Sequence, residues 1–301
     1  MKKLLLLSWI GLATFSALFG FQPPAQPAPK VIEVQKIKDN FYVLTGGGGN
    51  TSVFITQKNG VVVVDTKNPR WGSLLVEKIK SITDKPITTV ILTHTHSDHI
   101  GGLTDFPAGI QIVATENTKA NMQKKSMFNP GDLFAKPETA KFLPNKTFKD
   151  KLTLFSGADQ VDVYYFGPGG TNGDAWIVFP SLRILAAGDN FAAKGGNLID
   201  ETTGGTVAQA QTLRNVVTTI KNVDIVIPGH SAAMYTFADL KEYADFDQEF
   251  TDWALAQKKA GKTVDDAAAE YKYPARYASY APMRAQFIKL WIQGIYDTAP
   301  G

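Results

Sequence analysis

Thr93-His94-Thr95-His96-Ser97-Asp98-His99 holds three of the four histidines of the chain within six residues. The segment leaves a short apolar run, Thr88 to Thr93, which reads as a strand, and enters the pair Gly101-Gly102. A loop at a strand end can aim several side chains at one point, whereas a helix would spread His94, His96 and His99 around its circumference. Imidazole is a common metal ligand, and Asp98 adds a hard oxygen. The cluster therefore reads as half of a metal site. It is neither consecutive nor terminal, as a purification tag would be, and the competing reading is a solvated polar loop.

Two more pieces lie downstream. A strand over Arg183 to Ala187 closes on Gly188-Asp189, and a strand over Asp224 to Ile227 closes on Pro228-Gly229-His230. Singly they are weak, because an Asp after Gly is usually a turn residue and a lone His is usually structural. Their weight comes from combination with the cluster. Upstream, Val61-Val62-Val63-Val64 is an unbroken β-branched run that reads as a strand buried on both faces and ends in Asp65. Asn59-Gly60 closes a hairpin from Thr51 to Asp65. Val31 to Lys38, Phe41 to Thr45, Gln111 to Ala114, Val161 to Phe166 and Ala175 to Phe179 read as further strands. Ser73 to Ile82, capped by Ser73, reads as a helix, as do Glu116 to Lys125, Val207 to Ile220, Ala238 to Lys259 and Pro282 to Tyr296. Strands come first, then β/α alternation, then strands again. This order predicts an α+β fold, a four-layer αββα sandwich of two mixed sheets with outer helices, in a single domain over 31–301.

The chain has 301 residues, 44% hydrophobic and 20% charged, which suits a globular body. There is no cysteine, so disulfides and thiolate ligands are excluded. Met1-Lys2-Lys3 precedes an apolar run from Leu4 to Phe21, and Pro23, Pro24, Pro27 and Pro29 follow. The expectation is a signal peptide over 1–21, a Pro-rich linker over 22–30, and an exported body, periplasmic or secreted. The alternative is an uncleaved membrane anchor. The net charge is +3; without Lys2 and Lys3, 29 of the 31 basic side chains remain against 28 acidic ones, net +1. Such a body lacks the basic footprint of a nucleic-acid binder, so the expected partner is a small-molecule substrate.

From about Val34 to His230 the sequence resembles the metallo-β-lactamase superfamily. His94, His96, Asp98 and His99 carry the most specific mark, with Asp65, Gly188-Asp189 and Pro228-Gly229-His230 as further landmarks. The resemblance implies a zinc hydrolase, with one or two Zn2+ per chain, that turns a metal-bound hydroxide on an ester, lactone, thioester or β-lactam. It implies a first metal site from His94, His96 and a third histidine. A second site would use Asp98, His99 and His230, with Asp189 bridging both. Asp98 would also orient the nucleophile. In Phe166-Gly167-Pro168-Gly169-Gly170-Thr171-Asn172-Gly173-Asp174 the third histidine is replaced by Gly170, which has no side chain to ligate. Three readings stay open: a weakened first site that still fills, a one-metal protein on the second site, or an inactivated relative or substituted variant, with a non-catalytic metal- or ligand-binding member of the fold as the alternative function. Asn172 and Asp174 are candidate substitutes. Trp71 is a candidate for the substrate mouth, and the stretch from Met127 to Lys136 for a lid.

Overall fold

A computed structural model describes residues 29–196, 199–200 and 204–300. The expected signal peptide and most of the linker lie outside these residues. Among the described residues no helix is long and apolar enough to cross a membrane.

A seven-stranded sheet runs in sequence order. Its strands β1 (Glu33–Lys38), β2 (Phe41–Thr45), β3 (Thr51–Ile55) and β4 (Val61–Val64) are antiparallel neighbours. β5 (Ile87–Ile91), β6 (Gln111–Thr115) and β7 (Lys146–Phe148) continue it in parallel. The helices α1 (Gly72–Ile82), α2 (Ser97–Ile100), α3 (Glu116–Asn121) and α4 (Pro137–Ala140) connect those parallel strands. A second sheet has the order β12-β11-β10-β9-β8, from β8 (Lys151–Leu154), β9 (Val161–Tyr164), β10 (Trp176–Phe179), β11 (Ile184–Gly188) and β12 (Ile225–Pro228). Only its β11–β12 pair is parallel. The helices α5 (Thr206–Thr219), α6 (Phe237–Lys259), α7 (Val264–Glu270) and α8 (Ala285–Thr298) complete the chain.

The valine strand shows why the sheets stack. Successive side chains of a strand point to opposite faces. Val62 and Val64 join Phe54, Ile177, Phe179 and Ile184 in the core between the sheets. Val61 and Val63 pack with Leu75 and Ile79 of α1 on the other face. The outer face of the second sheet offers Leu185 and Val226 to Leu213, Phe246, Phe250 and Trp291 of α5, α6 and α8. Three apolar layers thus separate helices, sheet, sheet and helices, which is the expected α+β sandwich of two mixed sheets.

Local boundaries differ from the sequence reading where distant groups supply hydrogen bonds. Ser73 does not cap α1, which starts a residue earlier after Trp71 without a side-chain cap; the Ser73 N–H donates to Asp105 Oδ2 at 3.0 Å instead. β5 stops at Ile91, because the Thr93 N–H turns to Asp65 Oδ1 at 2.8 Å rather than to a neighbouring strand. α3 ends at Asn121, not Lys125, and a turn closed by Ser126 N–H on Asn129 O follows.

Candidate metal centre

Every expected ligand sits at one rim of the sandwich, where strands of both sheets end. His94, His96, Asp98 and His99 follow β5, with His96 directly preceding the single turn α2. Asp189 follows β11 and His230 follows β12. Gly188 makes the turn that aims Asp189: its φ is +53°, and a Cβ there would fall 2.8 Å from the Thr93 side chain. Asp189 is the hub. Its Oδ2 lies 3.5 Å from His94 Nε2 and 3.6 Å from His96 Nδ1, and its Oδ1 lies 3.2 Å from His99 Nε2 and 3.3 Å from His230 Nε2. Asp98 Oδ2 stands 3.3 Å from His230 Nε2 and 3.8 Å from His99 Nε2. Two sets, His94–His99–Asp189 and Asp98–His99–His230, bring their ligand atoms within 4.8 Å of one another.

The partners behind the imidazoles fix which nitrogen is free. Asp65 Oδ2 is 2.7 Å from His99 Nδ1 and accepts its proton, so in the neutral ring it is Nε2, facing Asp189, that carries the lone pair. The Thr93 hydroxyl donates to Asp65 Oδ2 at 2.7 Å, and therefore accepts from His94 Nδ1 at 2.8 Å. His94 Nε2 is likewise left as a lone pair facing a carboxylate. Asp65 is itself held at φ +63°, a left-handed conformation that costs a non-glycine residue about 1–3 kcal/mol. Its bonds to Thr93 and His99 hold it there.

These contacts test the fit of a cation. Both oxygens of Asp189 and His94 Nε2 are buried without a hydrogen-bond partner among the described residues. Asp189 is thus a buried charge whose counter-charges are imidazoles alone, and a buried charge without bonded partners is costly. Lone pairs of imidazole turned toward carboxylate oxygens suit a divalent cation between them, and the nitrogen–oxygen donor set suits zinc. Without a cation the pocket answers with protons. Burial opposes charge on Asp189, but His99, His230 and His94 hold its carboxyl well below the ordinary range. Burial likewise opposes charge on His99, which Asp189, Asp65 and Asp98 nevertheless raise well above the usual histidine value.

Residue 170 lies beside this rim. Gly170 is buried, and its carbonyl accepts the Asp200 N–H at 2.9 Å. Neither candidate substitute joins the sets whose ligand atoms lie within 4.8 Å of one another. Asn172 Oδ1 accepts from Asn121 Nδ2 at 2.6 Å. Asp174 Oδ2 accepts both the N–H and the hydroxyl of Thr171, its Oδ1 is buried without a hydrogen-bond partner among the described residues, and burial pushes its carboxyl up to about 6 with His94 opposing. A cleft of about 520 Å³ opens over the centre, lined by His96, Asp98, Met127, Phe128, Asp189 and His230. The expected lid stretch therefore borders the site, and it is tied down: the Ser97 N–H donates to Phe128 O at 2.9 Å. Trp71 packs by Gly47 away from the cleft.

The sequence reading missed Asn50, Lys67 and Asp200. Asn50 Nδ2 donates to the carbonyls of Pro228 and Ser231, which anchors the His230 turn. Lys67 is fully buried, and its Nζ donates to Leu44 O and Gly49 O at 2.6 Å each. It thereby holds the glycine loop so close to the centre that a Cβ on Gly49 would fall 2.1 Å from the His99 ring. Burial lowers Lys67 to about 7, with Asp65 and Asp98 opposing. Between about pH 7 and the ordinary lysine value of 10.5 the unfolded chain holds a proton that the folded one lacks. Stability of the metal-free protein is therefore expected to rise with pH across that window. Urea titrations should show this slope, and Lys67→Met should flatten it.

The metallo-beta-lactamase superfamily model matches residues 45–230. A metallo-beta-lactamase type 2 from Elizabethkingia meningoseptica is 29% identical over 254 residues, 75% of this chain and 91% of the relative. One from Bacillus sp. (strain 170) is 28% identical over 217 residues, 66% of this chain and 76% of the relative. Among solved structures, a metallo-beta-lactamase from Pontibacter korlensis aligns with TM-score 0.60 at 22% identity, covering 72% of this chain and 99% of that one. A stereoselective inverting sec-alkylsulfatase from Pseudomonas sp. aligns with TM-score 0.70 at 16% identity, covering 89% of this chain and 50% of that one. At those identities the structures speak for the fold alone. The match over more than half of the chain, on the strands that carry the histidine cluster, Asp189 and His230, makes this protein a member of the metallo-beta-lactamase superfamily of metal-dependent hydrolases.

Proposed function

We propose that this chain is an exported zinc hydrolase of small ester, lactone, thioester or β-lactam substrates, with a first metal site weakened by Gly170. The observation that carries the reading is Asp189, buried with both oxygens unbonded and within 3.6 Å of four imidazoles. His94, His96 and Asp189 would hold one cation, and Asp98, His99, His230 and Asp189 another. A bound zinc supplies Lewis acidity and brings the pKa of a water to near 7. The chain's own residues set the geometry. Asp65 and Thr93 keep His94 and His99 in the ligating tautomer, and Phe128, 4.7 Å from the His96 ring, walls one side of the cleft. Asp98 is part-exposed at the cleft, where its carboxylate can orient an attacking water toward the substrate. The cleft volume suits a small molecule. The β-lactam option gains support from the names of the relatives. The basic and apolar N-terminal sequence supports export to the periplasm or beyond, with membrane attachment only if it stays uncleaved.

The test is Gly170→His, with zinc content and turnover of a panel of chromogenic esters and a cephalosporin measured with and without chelator. The variant is expected to hold more zinc and to turn over faster, by roughly the 10–100-fold that a lost metal-site partner commonly costs. Unchanged zinc and rate would refute the assignment of residue 170. The second reading, a non-catalytic metal-binding member, rests on Gly170 itself. It wins if zinc binds and no substrate turns over in either form.

A further inference from the structure

We propose that Asp200 is the positioning residue for His96, holding the proton on Nε2 so that Nδ1 is presented to the first metal position. This rests on the metal-binding part of the reading above. A neutral imidazole carries one N–H, and the nitrogen that ligates must be the other one. His99 is set by Asp65, and His94 by Thr93 backed by Asp65. His96 lies beyond that pair and has carboxylates on both of its sides. Asp189 Oδ2 is 3.6 Å from Nδ1, and Asp200 Oδ2 is 3.9 Å from Nε2. The side chains of His96 and Asp200 are 2% and 0% exposed, so water competes little for either nitrogen. The ligand side of His96 is the Nδ1 side, because the shared hub Asp189 is there. Asp200 faces the opposite edge of the ring, the place of an outer carboxylate that orients a ligand. At 3.9 Å the contact is longer than a formed hydrogen bond of about 2.7–3.2 Å, and it is expected to close when a cation draws on Nδ1.

The position of Asp200 gives this contact its weight. Its N–H donates to Gly170 O at 2.9 Å, the Gly204 N–H donates to Asp200 O at 2.5 Å, and the Gly205 N–H donates to Gly169 O at 3.1 Å. The segment that carries Asp200 is thus pinned to the backbone of the residue that brings no imidazole. With two histidines instead of three at the first position, the orientation of each counts for more. Asp200 stiffens one of the two.

The experiment is zinc titration against a chromophoric chelator for the parent, Asp200→Ala and Asp200→Asn, with histidine 15N spectra of the zinc-loaded proteins. In Asp200→Ala one equivalent is expected to weaken about 10–100-fold while the other keeps its affinity. Asp200→Asn, whose amide oxygen can still accept the bond, should lose less. The spectra should show one histidine protonated on Nε2 in the parent and in Asp200→Asn, and that signature should be lost in Asp200→Ala. In a Gly170→His background the penalty should shrink. If Asp200→Ala fails to fold, Asp200→Ser, too short to reach the ring, takes its place. Parent-like affinity for both equivalents, equal weakening of both, or a parent that takes only one equivalent indifferent to Asp200 would each overturn the proposal. Zinc binding is read without turnover, so a protein that depends on Asp200 for zinc yet hydrolyses nothing would sink the hydrolase reading and leave this one standing.

Discussion

Asp189→Asn is expected to cost zinc affinity at both positions by at least about 10–100-fold, and to remove chelator-sensitive turnover with it. The substitution keeps the size of the side chain and changes one oxygen to an amide. Asp189 stands between the two halves of the centre, with Oδ2 toward His94 and His96 and Oδ1 toward His99 and His230. An amide has neither the charge nor the second acceptor, so both pairs of imidazoles lose their shared counter-charge together. The adjacent Gly229 leaves no slack for a larger rearrangement, since a Cβ there would fall 2.0 Å from Asp189 Oδ1. Competition titration with a chromophoric chelator measures the loss. Retention of either equivalent at parent affinity would show that the carboxylate does not span the two positions.

Trp291→Ala is expected to cost about 3–5 kcal/mol of folding stability and to leave zinc affinity of the folded protein unchanged. Trp291 is 1% exposed and stacks on Phe250 with ring centroids 4.0 Å apart at 23°. Phe246 meets it edge-on at 6.1 Å. These rings fasten α8 to α6 on the outer face of the second sheet, on the side away from the core between the sheets. Truncation leaves a void that the stiff aromatic neighbours fill poorly. Urea unfolding gives the magnitude, and zinc titration of the same sample gives the control. A loss below about 1 kcal/mol would mean that the helical layer collapses to fill the gap.

Much of this was legible in the sequence because the signals were local. The valine run of β4 declared burial on both faces, and His94, His96, Asp98 and His99 lie within six residues after β5, although Asp98 and His99 sit on the helical turn α2 rather than in the expected loop. Asp189 and His230 were legible as strand-end residues beside glycine. What stayed hidden depends on contacts distant in sequence. Lys67 and Asp200 look like ordinary surface charges until the fold buries them against the glycine loop and His96. The short strands β7 and β8 escaped because Lys146, Lys149, Asp150 and Lys151 break up their apolar pattern, and sheet pairing alone makes them strands. α7 did carry a signal, the Thr263 side chain accepting from the Asp266 N–H at the helix start, but its alanines show no clear apolar stripe. Ser73 misled because Asp105, far along the chain, bonds the N–H that would otherwise need a local cap.

The location of the centre has a mechanical consequence. His94, His96 and His99 hang from the seven-stranded sheet, and Asp189 and His230 from the five-stranded one. A cation held among them would tie the two sheets together along that rim, so loading it should suppress local opening there. Amide hydrogens at the ends of β5 and β11 should exchange more slowly in the loaded protein than in the empty one, while those at the opposite rim, around Asn59 and Gly60, should not register the difference.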